Sequence, residues 1–255
     1  MKVSLDTESR SLQVEDEGGQ RTLSLYSPEA FGLLSRAWIK VGWELKYTYG
    51  FSWFGRPIIQ LPEDLVRVQE VIYRIRPDVI VETGVAHGGS LVFYATLLNA
   101  MGHGRVVGVD VEIRPPNRKA IESHEFSQFI TLIEGDSVSA STLDQVRRQT
   151  AGAERVLVLL DSNHTKAHVL AELRAYAPLV SIGSYVVATD GLMRDLDDVP
   201  RGHPDWKQDN PAAAAAEFLR ENPNFVLEQP SPGFDESLIS APVTHWPDGY
   251  LKRVS

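Results

Sequence analysis

Two short runs, Leu159-Leu160-Asp161-Ser162-Asn163-His164 and Ala188-Thr189-Asp190-Gly191, each end an apolar stretch in a carboxylate. If those stretches are neighbouring strands, Asp161 and Asp190 stand at adjacent strand ends. Two carboxylates so placed can converge on one hard cation, with Thr189 or Asn163 as further oxygen donors. His164 follows Asp161 by three residues. From the start of a helix it can reach a hydroxyl held on that cation and take its proton, a task suited to an imidazole because its charge changes near neutral pH. Each residue also has a plainer use, Asp161 as a helix cap and His164 as a solvated first-turn residue. His164 and His168 have the i, i+4 spacing of a zinc helix, but the glutamate of H-E-x-x-H is absent, so no zinc is expected.

A third run, Val81-Glu82-Thr83-Gly84-Val85-Ala86-His87-Gly88-Gly89-Ser90, has the composition of a ligand-binding turn. Gly84 and Gly88 let backbone approach a ligand closely, and a helix starting at this point, with Ser90 in its first turn, offers free N–H groups. The pattern G-x-x-x-G-G is not the dinucleotide fingerprint G-x-G-x-x-G. A pyrophosphate needs that tight turn, whereas S-adenosylmethionine carries no phosphate. It presents an amino-acid end and a sulfonium cation, which suit an acidic strand end such as Glu82. Asp110, 26 residues after Gly84, ends the next apolar run. A carboxylate there accepts hydrogen bonds from both ribose hydroxyls, in NAD and in S-adenosylmethionine alike. In Glu134-Gly135-Asp136-Ser137, Asp136 and Ser137 can hold an adenine amino group or cap the next helix.

Such residues act together only on a scaffold that gathers strand ends. The pattern predicts one. A helix opens at Pro62-Glu63-Asp64, buries Leu65, Val68, Val71, Ile72 and Ile75, and stops before Pro77. Strands follow at 78–82, 106–110, 129–134, 156–160 and 184–189, separated by helices at 88–101, 117–125, 141–150 and 165–177. A helix over 212–220, capped by Asn210-Pro211, leads to two last strands at 225–228 and 250–254 joined by a proline-rich loop. This alternation gives an α/β fold with a doubly wound, mostly parallel seven-stranded sheet, and ligands outside the carboxyl ends of its strands. Residues 192–210 form a long connection suited to a lid or binding loop. The acidic first 25 residues read as an extended or frayed arm. Residues 28–60, rich in aromatics from Phe31 to Phe54, can line a ligand or subunit surface or pack onto the main domain. The expected division is therefore an arm with an aromatic-rich extension over 1–60 and a cofactor-binding domain over 61–255.

Composition narrows the function. The 255 residues are 43% hydrophobic and 23% charged, an ordinary globular balance. There is no cysteine, hence no disulfide, thiolate metal site or cysteine nucleophile. With 25 basic and 34 acidic residues the net charge is −9, and no basic run offers the positive field that nucleic acid requires. No apolar run approaches a membrane span, and the N-terminus lacks the pattern of a signal peptide. The expectation is a soluble cytoplasmic protein with a small-molecule or glycan acceptor, no nucleic-acid or membrane partner, and self-association through its aromatic segment.

Taken together, Trp53-Phe54-Gly55-Arg56-Pro57, Val81-Glu82-Thr83-Gly84 with Gly88-Gly89-Ser90, Glu134-Gly135-Asp136, Asp161-Ser162-Asn163-His164 and Thr189-Asp190 carry a resemblance. From about Tyr47 to Asp190 the chain resembles the S-adenosylmethionine-dependent methyltransferases that include cephalosporin hydroxylase-like proteins and bacterial rhamnosyl O-methyltransferases. The resemblance implies a class I methyltransferase (Rossmann-like) fold, with the cofactor at the first three strand ends and a divalent ion, usually Mg²⁺, near the fourth and fifth. Carried over by motif, Asp161 and Asp190 become metal ligands and His164 the base that deprotonates an acceptor hydroxyl of a sugar, glycan or glycosylated natural product. The chain departs from the family at Thr189, where a second acidic residue is common; Asp195, Asp197 and Asp198 follow soon after. Two other readings stay open at this point, an NAD(P)-dependent oxidoreductase and a catalytically silent scaffold on the same fold.

Overall fold

The computed structural model describes residues 1–234, 236–239 and 242–255. Contacts divide it into two units, residues 1–45 with 233–243 and residues 46–232 with 244–255, so the expected boundary at residue 60 falls inside the second unit. The expected N-terminal arm is instead an antiparallel meander of β1 (Lys2–Asp6), β2 (Ser11–Asp16) and β3 (Gly19–Ser24). The cause is a short period-2 alternation within acidic sequence. It turns Leu12 and Val14 to one face, fully buried with Ala30 and Leu33 of α1 (Pro28–Glu44). Ser27 caps α1 by accepting the Ala30 N–H.

In the second unit, β4 (Ser52–Trp53) and β5 (Arg56–Pro57) form a small hairpin turned by Phe54 and Gly55, both at positive φ. The Trp53 indole N–H donates to Thr96 Oγ1 (3.1 Å), and its ring meets Phe93 edge-on at 4.9 Å. The Arg56 Nε–H donates to the His87 carbonyl at 2.9 Å, which ties the hairpin to the glycine-rich turn. Packing is therefore the role of Trp53, while Tyr47, Tyr49 and Phe54 stay exposed. Next, α2 (Pro62–Ile75) buries the expected apolar face and ends at Arg76, in the left-handed region just before Pro77.

The sheet follows the expected alternation: β6 (Val79–Thr83), α3 (Gly89–Met101), β7 (Arg105–Asp110), α4 (Pro115–Glu122), β8 (Ile130–Glu134), α5 (Ala140–Thr150), β9 (Val156–Leu160), α6 (Lys166–Tyr176), β10 (Tyr185–Ala188), α7 (Pro211–Glu221), β11 (Phe225–Leu227) and β12 (Tyr250–Arg253). The connection from β11 to β12 includes the three positions outside the described residues. Strand order is β8-β7-β6-β9-β10-β12-β11, parallel from β8 to β10, with β12 antiparallel to both its neighbours. β6 and β9 are fully buried, as their continuous apolar sequences require. The chain builds outward from β6 to β8, then returns to lay β9 on the other flank of β6. That reversal places a crevice between the carboxyl ends of β6 and β9. The ends are level, because the Asp161 N–H donates to the Thr83 carbonyl (2.8 Å), the Thr189 N–H to Leu160 (3.1 Å) and the Gly84 N–H to Val109 (2.7 Å). Gly84 sits at φ +91°, and a Cβ there would lie 2.0 Å from the Asp161 carbonyl oxygen, so only glycine lets these two strand ends meet. Among the described residues, no helix is long and apolar enough to cross a membrane.

Candidate active site

The register of β9 and β10 brings Asp161, His164 and Asp190 together. One ligand atom from each lies within 4.8 Å of the others, and His164 Nε2 is 3.5 Å from Asp190 Oδ2. Both Asp161 oxygens already accept a hydrogen bond, Oδ1 from the Thr189 hydroxyl at 2.5 Å and Oδ2 from the Gln60 amide at 2.9 Å. Thr189 is buried and its hydroxyl also reaches the Leu160 carbonyl, so it orients Asp161 rather than facing the cluster as a ligand. Burial first, and then the negative charge of Asp190, push the Asp161 carboxyl above the usual range; His164, Thr189 and Gln60 pull it back. Asp190 itself adopts φ +56°, a conformation that aspartate tolerates better than most residues and that commonly marks functional positions. Asn163 turns its Oδ1 to the Thr165 N–H (2.9 Å) and hydroxyl. Asp195 pairs with Arg194, and Asp197 with Lys207, outside the cluster.

The glycine-rich turn meets the other flank of this crevice. Glu82 is almost wholly buried; its Oε2 accepts from the Ser90 hydroxyl (2.6 Å) and its Oε1 from the Tyr94 hydroxyl (2.9 Å). Burial, reinforced by the charge of Asp161, pushes the Glu82 carboxyl up to about 8, against the pull of the two hydroxyls. Asp110 organises the turn. Its Oδ2 accepts the N–H groups of Val85 (2.8 Å) and Ala86 (3.3 Å), and its Oδ1 that of Glu112 (3.1 Å). Beyond it opens a cavity of about 320 Å³ lined by Ala86, His87, Asp110, Val111, Arg114 and Asn117, among others. Gly88, at φ +80°, has a packing role, since a Cβ there would strike Ile121 at 2.4 Å. At the end of β8, Asp136 is exposed and accepts the Val138 N–H (3.1 Å), while Ser137 is buried and turned toward His168, 3.2 Å away. The strand ends thus gather Glu82, Ser90, Asp161, His164 and Asp190; Asp110 orders the turn, and Ser137 faces inward.

Several groups that no sequence motif marks hold this arrangement. Gln60 and Asp64 stand four residues apart at the start of α2. Asp64 is buried and accepts from the Thr244 hydroxyl and the His245 N–H (2.8 Å). The His245 carbonyl in turn accepts the Leu192 N–H (3.0 Å), which fixes the chain just after Asp190. Burial pushes the His245 imidazole down, while the charges of Asp190 and Glu63 pull it back. Burial pushes Asp64 up to about 7. Because this folded-state value lies above the unfolded one, Asp64 lends stability that is full below about pH 4 and is lost as pH rises through about 7. Asp64→Asn is expected to flatten the decline in urea-unfolding free energy between pH 5 and pH 7.5. An unaltered slope would remove Asp64 as its source.

A model of the family described as Rhamnosyl O-methyltransferase/CmcI matches residues 45–254. The chain belongs to that family. Within it, the chain is 27% identical over 152 residues to a protein of Mycobacterium leprae (strain TN) named rhamnosyl O-methyltransferase, covering 59% of this chain and 64% of that one. A protein of the same name from Mycobacterium tuberculosis (strain ATCC 25618 / H37Rv) is 27% identical over 143 residues, covering 55% of this chain and 54% of that one. The match thus spans just over half to just under two thirds of these relatives' lengths. Among solved structures, the CmcI-N160 apo form has a TM-score of 0.55 at 20% identity, covering 81% of this chain and 77% of that one. The form titled cmcI-D160 Mg-SAM also has a TM-score of 0.55 at 20% identity, covering 81% and 78%. The α/β fold read from the strand–helix alternation is the fold of these CmcI structures.

Proposed function

We propose that the protein is an S-adenosylmethionine-dependent O-methyltransferase, assisted by a divalent cation, Mg²⁺ as first choice, that acts on a hydroxyl of a sugar, glycan or glycosylated natural product. The observation that carries this reading is the meeting of Asp161, His164 and Asp190 at two adjacent strand ends, across the β6–β9 crevice from Glu82 and Ser90. Two carboxylates and an imidazole fit a divalent cation, and Asp161 and Asp190 would hold it. A bound cation would orient an acceptor hydroxyl and favour its loss of a proton. The cavity beside Asp110 suits the nucleoside, whose ribose the Asp110 carboxylate would face. Asp136, exposed at the end of β8, would lie toward the adenine. Glu82 is covered by protein and would act on the cationic end of the cofactor through Ser90 and, once ionised, through its charge. His164 would take the acceptor proton; a bound S-adenosylmethionine would supply the methyl group, its carbon–sulfur bond breaking with the electron pair kept by sulfur as the acceptor oxygen bonds to carbon. Proximity supplies much of the rate, because oxygen, carbon and sulfur must be nearly in line. The family, the CmcI structure titled Mg-SAM and the mycobacterial relatives support the reading; the sugar acceptor rests on the relatives' names and on the fit of a diol to a hard cation.

The test is calorimetric titration with S-adenosylmethionine, S-adenosylhomocysteine and NAD, with and without Mg²⁺. Micromolar binding of the first two is expected; binding of NAD alone would replace the proposal with the oxidoreductase reading. Glu82 adds a finer expectation. Below about pH 8 its carboxyl carries a proton in the free protein. A sulfonium nearby favours the ionised form, so binding releases a proton, and affinity rises with pH by up to about tenfold per unit until it levels. Titration in buffers of different ionisation enthalpy counts that proton. Glu82→Gln should abolish the release, and a wild-type protein that releases none would exclude Glu82 from cation recognition.

A further inference from the structure

One partly buried cluster beside this crevice is unused by the proposed chemistry. His168 Nε2 lies 3.2 Å from Ser137 Oγ in the loop after β8, 3.3 Å from Ser162 Oγ in the loop after β9, and 3.4 Å from Glu172 Oε1 one turn further along α6. Glu172 is fully buried. Its Oε1 also accepts the Ser162 hydroxyl proton at 2.7 Å, and its Oε2 has no hydrogen-bond partner among the described residues. Tyr176, another turn along, donates its hydroxyl to the Ser137 carbonyl (2.9 Å). One face of α6 thus grips both loops. The loop after β8 carries Asp136 on the nucleoside side, and the loop after β9 follows Asp161 on the cation side.

We infer that His168 and Glu172 form a clasp that holds these two loops together and sets the adenine-facing side of the cofactor site. The inference rests on the proposed methyltransferase reading. Three acceptors converge on one ring nitrogen. Since Ser162 gives its proton to Glu172, the nitrogen serves the cluster best as a donor. A buried carboxylate with one unpartnered oxygen needs that cationic neighbour. Glu172 accordingly raises the His168 pKa above its ordinary value, with a smaller contribution from Asp136. The clasp also decides which residue of the β8 loop faces outward. With Ser137 drawn in to His168, and Glu134 at the strand end paired with Arg118, Asp136 is the exposed carboxylate of that loop, where an adenine amino group is a fitting partner. His168 is therefore a positioning residue, acting through Ser137 and Ser162.

The experiment compares wild type with the double variant His168→Leu/Glu172→Leu, which removes both charges and strands neither. S-adenosylhomocysteine affinity is measured by calorimetry, Mn²⁺ affinity by electron paramagnetic resonance, and folding by thermal melting. The double variant is expected to melt close to wild type and keep its Mn²⁺ affinity, but to bind S-adenosylhomocysteine about tenfold more weakly, the worth of about one hydrogen bond to the adenine. Wild-type affinity should fall as pH rises through the titration of His168, whose charged and titratable neighbours are Glu172, Asp136 and Tyr176; that pH dependence should vanish in the variant. A folded variant that binds like wild type overturns the clasp. If the double variant does not fold, Glu172→Gln, which keeps the shape, decides in its place: weaker binding with a flattened pH profile supports the clasp, and wild-type behaviour overturns it. A wild-type protein that binds neither S-adenosylmethionine nor S-adenosylhomocysteine overturns the methyltransferase reading itself, and the clasp with it.

Discussion

Asp161→Asn is expected to lower methyl transfer about 10³-fold and abolish its response to Mg²⁺, the scale seen when one preorganised electrostatic contact to a reacting oxygen is lost. The substitution keeps the side chain's size and leaves an amide oxygen for one of its two donors, Thr189 or Gln60. It removes the charge that, with Asp190, would hold the cation. The same charge is a burden to the cation-free protein, where burial and Asp190 both oppose it. Two readouts should therefore move in opposite directions. Without Mg²⁺ the variant is expected to melt at or above the wild-type temperature; with saturating Mg²⁺ only the wild type should gain stability, as a ligand that binds the folded state requires. Mg²⁺-dependent melting that persists in the variant, or wild-type turnover indifferent to a chelator, would remove the cation from the mechanism.

The fold was legible wherever local pattern and burial agree. β6 and β9 are continuous apolar runs because both faces of the sheet are covered, and α2 keeps helical spacing because only one of its faces is. The meander over β1 to β3 was not legible, because only Leu12 and Val14 are fully buried there, two signals in a stretch dominated by charge. The site divides in the same way. Asp161, His164 and Asp190 were readable because each sits within four residues of a strand end, so the fold alone brings them together. Gln60, Asp64 and His245 were not, because they lie far along the chain and meet the site only through the packing of the α2 start and the segment before β12. Ser137 shows the limit within a motif. It lies three residues past the end of β8, but whether its hydroxyl faces cofactor or protein depends on His168, 31 residues later.

His164→Gln is expected to lower turnover by about 10²–10⁴-fold, the usual worth of a positioned general base. Glutamine roughly keeps the reach and polarity of the side chain and removes only the capacity to take a proton. His164 stands close enough to both carboxylates for a competing role as third ligand of the cation, with Nε2 3.5 Å from Asp190 Oδ2. The two roles exclude each other at that nitrogen and leave different traces. A base is free of the cation, so its loss lowers kcat at saturating Mg²⁺ and leaves Mn²⁺ affinity unchanged. A ligand's loss weakens Mn²⁺ binding, and added metal restores part of the rate. The first outcome is the expected one, because Asp161 and Asp190 suffice to hold the cation and leave the imidazole free to face the acceptor. Weakened Mn²⁺ affinity with near-normal turnover at high metal would assign His164 to the cation and leave the acceptor to lose its proton to another group.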